Sequence, residues 1–217
     1  EVLKKPLPIL LYHRVVKAKI KDSVVGIFVT EETFDEQLAH LKKNNFKTIT
    51  FFDIHNALNG GKLLSEKNIV LTFDDGYEDN FTSAFPLLKK YNYSAVIFLV
   101  TGKESNSWDE SKNEPGAKLL SKKQIIEMYE QGIEFGAHTL SHAKLTEVST
   151  GGLLKEIYNS KIYINKELGL PVISFAYPYG ECNKAAKDAV KSLGFEFGVA
   201  TDSGSINFLD DLYQIRR

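Results

Sequence analysis

Asn68-Ile-Val-Leu-Thr-Phe-Asp-Asp-Gly-Tyr77 is the stretch that decides the fold. Its apolar part is short, β-branched and continuous rather than alternating, the pattern of a strand buried on both faces of a parallel sheet. It ends in two adjacent acids and a glycine. An Asp-Gly turn closing a strand, with one acid capping the next helix, is a common structural use of these residues. Two carboxylates at a desolvated strand end nonetheless resist joint ionisation, and a bound cation is the simplest way to offset that. Taken alone, the stretch leaves both readings open.

Working outward, strands and helices alternate along the chain. Ile9-Leu-Leu-Tyr-His-Arg-Val-Val16 reads as a first buried strand, and Val24–Val29 as a short second one. Thr30 caps a helix running to Lys43, with Phe34, Leu38 and Leu41 inward at helical spacing. Residues 46–50 form a strand and Phe52–Leu58 a short helix stopped by Asn59-Gly-Gly61. Beyond the central stretch come a helix from Asp79 to Tyr91, a strand over Ser94–Val100, and a helix capped by Ser121. A strand over Gly132–Ala137 follows, then a long helix from Ser149 to Leu168 ended by Gly169. Pro171–Ala176, Asn183–Leu193 and Phe197–Ala200 read as strand, helix and strand, with a last strand over Leu212–Arg216. This order predicts an α/β fold of largely parallel strands with outer helices. Polar residues collect where strands end, at His13, Asp74-Asp75, His138, Tyr179 and Asp202, and in α/β barrels such ends converge on one site.

Composition sets the bounds. The chain has 217 residues, 43% hydrophobic and 25% charged, which suits one domain over 1–217. The net charge of −1 gives no basic footprint, so no nucleic-acid partner is expected. No apolar run of about 18 residues is present, so no transmembrane segment lies in the sequence. Cys182 is the sole cysteine, which excludes an intramolecular disulfide. Glu1 rather than Met at the start fits a mature or trimmed form that has lost a signal or anchor segment. Residues are also expected to follow Arg217.

The chemistry gathers around the two acids. His138 and His142 are four apart, and on one helical turn they would face the same side and share a metal. Two imidazoles and a carboxylate, with positions left for water, form the ligand set of a catalytic zinc-type site. Iron, cobalt or nickel would fit the same donors. One acid would ligate the ion and the other act as general base on a water that the ion acidifies. Tyr179, between Pro178 and Gly180, offers a backbone N–H for an oxyanion. A histidine in an apolar strand is more often a core residue than a catalyst, yet His13 at its strand end could protonate a leaving amine. Trp108, in a long polar loop over residues 102–118, reads equally as a sugar-stacking platform or a loop anchor.

Thr72-Phe-Asp-Asp-Gly-Tyr77, His138-Thr-Leu-Ser-His142 and Phe175-Ala-Tyr-Pro-Tyr-Gly180, in that order, resemble the polysaccharide deacetylases of the NodB-homology type, carbohydrate esterase family 4. The resemblance implies a distorted (β/α) barrel and metal-dependent removal of N-acetyl groups from amino sugars. It makes Asp74 the general base, Asp75, His138 and His142 the ligands of a divalent ion, zinc first, and Tyr179 the oxyanion donor. Its motif neighbours Tyr77 and Pro178, with Trp108, become the expected substrate contacts. Two features depart from the family pattern. The arginine that orients the base is replaced by Ala176, three residues before Tyr179, and the late Leu-His motif that supplies the acid is absent. The opening Leu11-Tyr-His-Arg-Val15 resembles a circularly permuted branch that includes poly-N-acetylglucosamine deacetylases, where an N-terminal histidine is the acid; here that is His13. Arg216, or less readily Arg14, is expected beside Asp74 in place of the missing arginine. The function implied is N-deacetylation of an N-acetylglucosamine polymer, first poly-β-1,6-N-acetylglucosamine, with peptidoglycan or chitooligosaccharide as alternatives. A catalytically silent glycan-binding module is the reading from another class. An extracellular or envelope location and a monomer are expected.

Overall fold

The computed structural model describes residues 6–205 and 207–217. The expected domain over 1–217 therefore includes positions, 1–5 and 206, that lie outside the described residues. Nine strands and six α-helices alternate among those described: β1 (Ile9–Tyr12), β2 (Arg14–Val16), β3 (Phe28–Thr30), α1 (Glu31–Lys43), β4 (Lys47–Thr48), α2 (Phe51–Leu58), β5 (Asn68–Phe73), α3 (Phe85–Tyr91), β6 (Val96–Leu99), α4 (Lys122–Glu130), β7 (Glu134–Ala137), α5 (Thr150–Ile162), β8 (Ser174–Ala176), α6 (Lys184–Ser192) and β9 (Phe197–Val199). The main sheet runs β1-β5-β6-β7-β8-β9, with β4 added to β5, and every pair in it is parallel. The expected distorted barrel is thus a curled, mostly parallel half-barrel with helices around it.

Strand alternation explains why β5 is apolar throughout. Ile69, Leu71 and Phe73 face outward and join the helix residues Phe34, Leu38 and Leu88 in one core. Val70 faces inward and meets Ile9, Val96, Phe98, Ala176, Phe197 and Val199 in a second core. Both faces are covered, so no polar alternation is needed. The inward register of β5 then runs Val70, Thr72, Asp74, which carries the first acid to the mouth of the half-barrel. Gly136 on β7 makes room for the neighbouring inward ring, since a Cβ there would lie 2.4 Å from Phe98.

Helix starts are capped, as expected at Thr30 and Ser121. Thr30, Ser121, Ser149 and Asn183 each accept a backbone N–H at N3, and Thr50 does so for α2, where Asp53 closes a capping box.

The strand expected over Val24–Val29 lies at Phe28–Thr30, and the helix expected to Leu168 closes as a π-helical segment over Tyr163–Glu167; three further expected elements differ more. The first strand breaks at His13: β1 stays in the main sheet, while β2 leaves it to pair with β3. The helix expected from Asp79 opens as a π-helical turn over Asn80–Ala84 before α3. Pro86 has no N–H to give and crowds the carbonyl one turn back, which widens that turn. The last strand reduces to one parallel bridge, Ile215 to Val199.

Candidate active site

Asp75 follows Asp74 with φ of 73°, so the chain turns over between the two acids and aims them differently. His138 follows β7, and its Nδ1–H donates to the Ala176 carbonyl at 2.7 Å. That bond fixes the tautomer and leaves Nε2 as a free lone pair. His142 comes back to it across a tight loop rather than along a helical turn, which corrects the expected geometry. Thr139 (φ 68°) and His142 (φ 62°) both take left-handed backbone. The loop is held by the His142 N–H donating to Thr139 Oγ1 at 2.9 Å. It is also clamped by Glu156 on α5, which accepts the N–H groups of Leu140 (3.0 Å) and Ser141 (2.9 Å) and the Ser141 hydroxyl (2.7 Å).

The outcome is a buried trio. Asp75 Oδ1 lies 3.4 Å from His138 Nε2 and 3.3 Å from His142 Nε2, and the three donors fall within 4.8 Å of one another. Asp75 Oδ1 and His142 Nδ1 are buried without a hydrogen-bond partner. Burial pushes the His142 imidazole down to about 4, so it is a neutral donor. Burial would also lower His138, but the carboxylates of Asp74 and Asp75 outweigh it and raise this imidazole. A surplus of negative charge, and an unpartnered Asp75 Oδ1 faced by the Nε2 atoms of both imidazoles, fit a divalent cation held by Asp75, His138 and His142.

Asp74 has a different partner. Arg217 Nη1 and Nη2 each donate to one of its carboxylate oxygens at 2.7 Å, and Nη1 also reaches Thr72 Oγ1 at 3.1 Å. The Arg217 side chain is fully covered and lies over the Phe98 ring. Neither expected arginine takes this role: Arg216 is exposed, and Arg14 pairs with Asp79 at 2.8 Å. The reason is register. The bridge of Ile215 to Val199 turns residue 217, not 216, into the half-barrel. Burial alone would raise the Asp74 carboxyl, but the Arg217 charge, with those of His138 and His13 and the Arg217 hydrogen bonds, holds it well below the usual range.

His13 sits at the break between β1 and β2. The β1–β5 register pairs Tyr12 with Phe73, so His13 comes level with Asp74. Asn80 Nδ2 donates to the His13 carbonyl at 2.8 Å, and Asp79 accepts the Val15 N–H and the Arg14 guanidinium, which fixes the corner. Tyr179 occupies the first turn of a three-residue 3-10 helix, Pro178–Gly180, with φ of 61°, where N–H groups lack helical acceptors. Its ring meets His142 edge-on at 4.7 Å, and Trp108 lies 4.6 Å from the same imidazole. Trp108 therefore lines the site, on a 3-10 turn over Ser107–Lys112.

These groups surround a cavity of about 120 Å³. Tyr77 and Pro178 do not reach its surface. Tyr77 is 1% exposed and backs Asp75, whose charge and hydrogen bond, after burial, raise its phenol; Pro178 is buried beneath the turn that presents Tyr179. Both are corrected from substrate contacts to supports. Asp202 stays exposed, and its neighbour Thr201 lines the cavity instead.

Seven non-glycine residues in the described chain have left-handed φ. Three are Asn45, Asn92 and Asn113, a residue type that tolerates it. The other four, Asp75, Thr139, His142 and Tyr179, all lie here. Such strain, roughly 1–3 kcal/mol per residue, gathers where a site demands it.

The family described as polysaccharide deacetylase matches residues 61–198. A poly-beta-1,6-N-acetyl-D-glucosamine N-deacetylase of Staphylococcus aureus (strain MSSA476) is 27% identical over 225 residues, covering 95% of this chain and 76% of the relative. The structure of Streptococcus pyogenes deacetylase PplD in complex with acetate superposes with a TM-score of 0.84 at 29% identity, over 98% of this chain and 91% of that one. BC0361, a polysaccharide deacetylase from Bacillus cereus, gives 0.81 at 25% identity, over 98% of this chain and 64% of that one. The two solved deacetylases share this half-barrel, and all three relatives are named as deacetylases, which sets aside the silent glycan-binding module. The chain belongs to the polysaccharide deacetylase family.

Proposed function

We propose that the protein is a metal-dependent N-deacetylase of an N-acetylglucosamine polymer, with poly-β-1,6-N-acetylglucosamine as the first candidate. The observation that carries this reading is Asp74, kept ionised by Arg217 beside the Asp75–His138–His142 trio. The name of the S. aureus relative supports the polymer, and the acetate in the S. pyogenes structure supports the product.

A cavity of about 120 Å³ is smaller than the roughly 300–1,000 Å³ of pockets that enclose whole ligands. It suits an acetamido group, with the sugar chain lying across the mouth. A divalent ion held by Asp75, His138 and His142, zinc first and iron, cobalt or nickel by the same donors, would polarise the amide carbonyl and acidify a water. Asp74, ionised, accepts the proton of the attacking water. The Tyr179 N–H donates to the oxygen where negative charge develops. His13 gives a proton to the departing amine as the C–N bond breaks, so acetate and a free amino sugar result. Arg217 keeps Asp74 aimed at the water's position through two parallel bonds.

No helix in the described residues is long and apolar enough to cross a membrane. The substrate places the enzyme's work outside the cell or at its envelope, in a biofilm matrix for this polymer. The chain acts as one domain and as a monomer in this reading. The test is acetate release from poly-β-1,6-N-acetylglucosamine, chitooligosaccharide and peptidoglycan, with metal content measured on the same sample. Asp75→Ala and His138→Ala are expected to lose both metal and acetate release. Full acetate release after complete chelation would overturn the reading.

A further inference from the structure

Glu114 is a buried carboxylate, 8% exposed, six residues after Trp108 and outside the cavity lining. Its oxygens accept the Ser23 hydroxyl at 2.7 Å and the N–H groups of Val24 and Val25 at 2.9 Å each. Ser23 Oγ in turn accepts the Gly26 N–H at 3.0 Å, and the Ile27 carbonyl accepts the Arg14 N–H at 3.2 Å. One side chain thus joins two loops that are distant in sequence, residues 17–27 and 102–118. The Glu114 N–H donates to the Asp109 carbonyl, on the 3-10 turn that carries Trp108.

The segment it holds forms one edge of the site. Val25 and Ile27 line the cavity, and Val24 at the tip is 65% exposed. Ile27 and Trp108 share one small apolar cluster, so the lip continues into the tryptophan and, past His142, to the exposed Tyr179 ring. Apolar side chains and aromatic faces along the mouth of an acetamido-sized cavity match the C–H face of a pyranose ring. A free loop rich in backbone N–H groups would have to be ordered on binding, at a cost in affinity. Here the N–H groups are already satisfied.

We propose that Glu114 is a positioning residue that fixes Val24–Ile27 as a preformed sugar-binding lip, and so sets affinity for the sugars flanking the reacting one without taking part in the chemistry. This rests on the deacetylase reading of the adjacent site.

The test compares Glu114→Ala, Glu114→Gln and Val24→Asp with the parent protein on acetylated oligosaccharides of increasing length and on a small acetyl ester. Glu114→Ala is expected to raise KM for long oligosaccharides about tenfold, equivalent to about 1.4 kcal/mol, with kcat and metal content retained and the ester unaffected. Glu114→Gln, which keeps one acceptor oxygen, restores part of the affinity. Val24→Asp changes an exposed side chain that makes no hydrogen bond and keeps the backbone N–H that Glu114 accepts; it raises KM, and decides the matter if Glu114→Ala does not fold. Unchanged KM in Glu114→Ala and Val24→Asp overturns the lip. A parallel loss of kcat on both substrate types makes Glu114 a general scaffold and overturns it too. Absence of acetate release by the parent protein on every oligosaccharide counts against the deacetylase reading instead.

Discussion

Replacing Arg217 by alanine removes two 2.7 Å charge-assisted bonds from a carboxylate that is itself buried. Breaking one side of a buried ion pair leaves the other charge without solvent or partner, and typically costs about 3–5 kcal/mol. For a chain of this length a loss of 1 kcal/mol lowers Tm by about 2–4 °C. Arg217→Ala is therefore expected to melt roughly 10 °C lower. Asp74, freed from its two-point clamp, no longer points at one position, and turnover is expected to fall about 100-fold or more, since displacement by about 1 Å costs that much. Arg217 makes no hydrogen bond or ion pair with Asp75, His138 or His142, so metal content is expected to stay at the parent level. Arg217→Lys restores charge but not the fork, and recovers stability better than turnover. The assays are thermal unfolding, metal content and acetate release on one preparation. Parent-level turnover in Arg217→Ala would refute the assignment of this residue as the holder of the base.

His13→Ala is expected to keep its metal and lose about 10²–10⁴ in turnover; unchanged acetate release would return His13 to a structural role at the strand break. Glu156→Ala, which frees the loop between the two histidines, is expected to weaken zinc binding about 10–100-fold, and equal affinity in a competition titration would deny the clamp. Glu134, deep in the half-barrel, has its carboxyl pushed by burial from 4.5 up to about 7, against hydrogen bonds from Phe52 N–H, Thr50 and Ser174. A raised acid holds its proton more tightly folded than unfolded, so between pH 4.5 and 7 stability falls as pH rises. The fall is at most about 3 kcal/mol, at 1.36 kcal/mol per unit. Glu134→Gln should flatten Tm across that window, and an unchanged slope would locate the effect elsewhere.

The run Asn68–Phe73 and the pair behind it were legible because burial on both faces and a local turn are properties of adjacent residues. The same holds for the caps at Thr30 and Ser121. His138 and His142 were legible as a pair, but not the loop that joins them, because left-handed φ at Thr139 and His142 is imposed by Glu156 and Thr139 Oγ1 rather than by local preference. The partner of Asp74 lay 143 residues away. Arg216 was the arginine expected there, and the bridge at Ile215 is what turns Arg217 inward instead. Glu114 had no signal at all in its own neighbourhood, since its donors sit about 90 residues upstream. The break at His13 was hidden because apolar residues on both sides let Ile9–Val16 read as one strand, and the pairing of β2 with β3 is what splits it.

The central claim is that Asp74 and the Asp75–His138–His142 trio have separate tasks in one hydrolysis. Acetate release from poly-β-1,6-N-acetylglucosamine by the parent protein and by Asp74→Asn, with zinc content measured on both, tests it most directly. Equal metal content, acetate release by the parent and almost none by Asp74→Asn are expected. Parent-level acetate release by Asp74→Asn would contradict it.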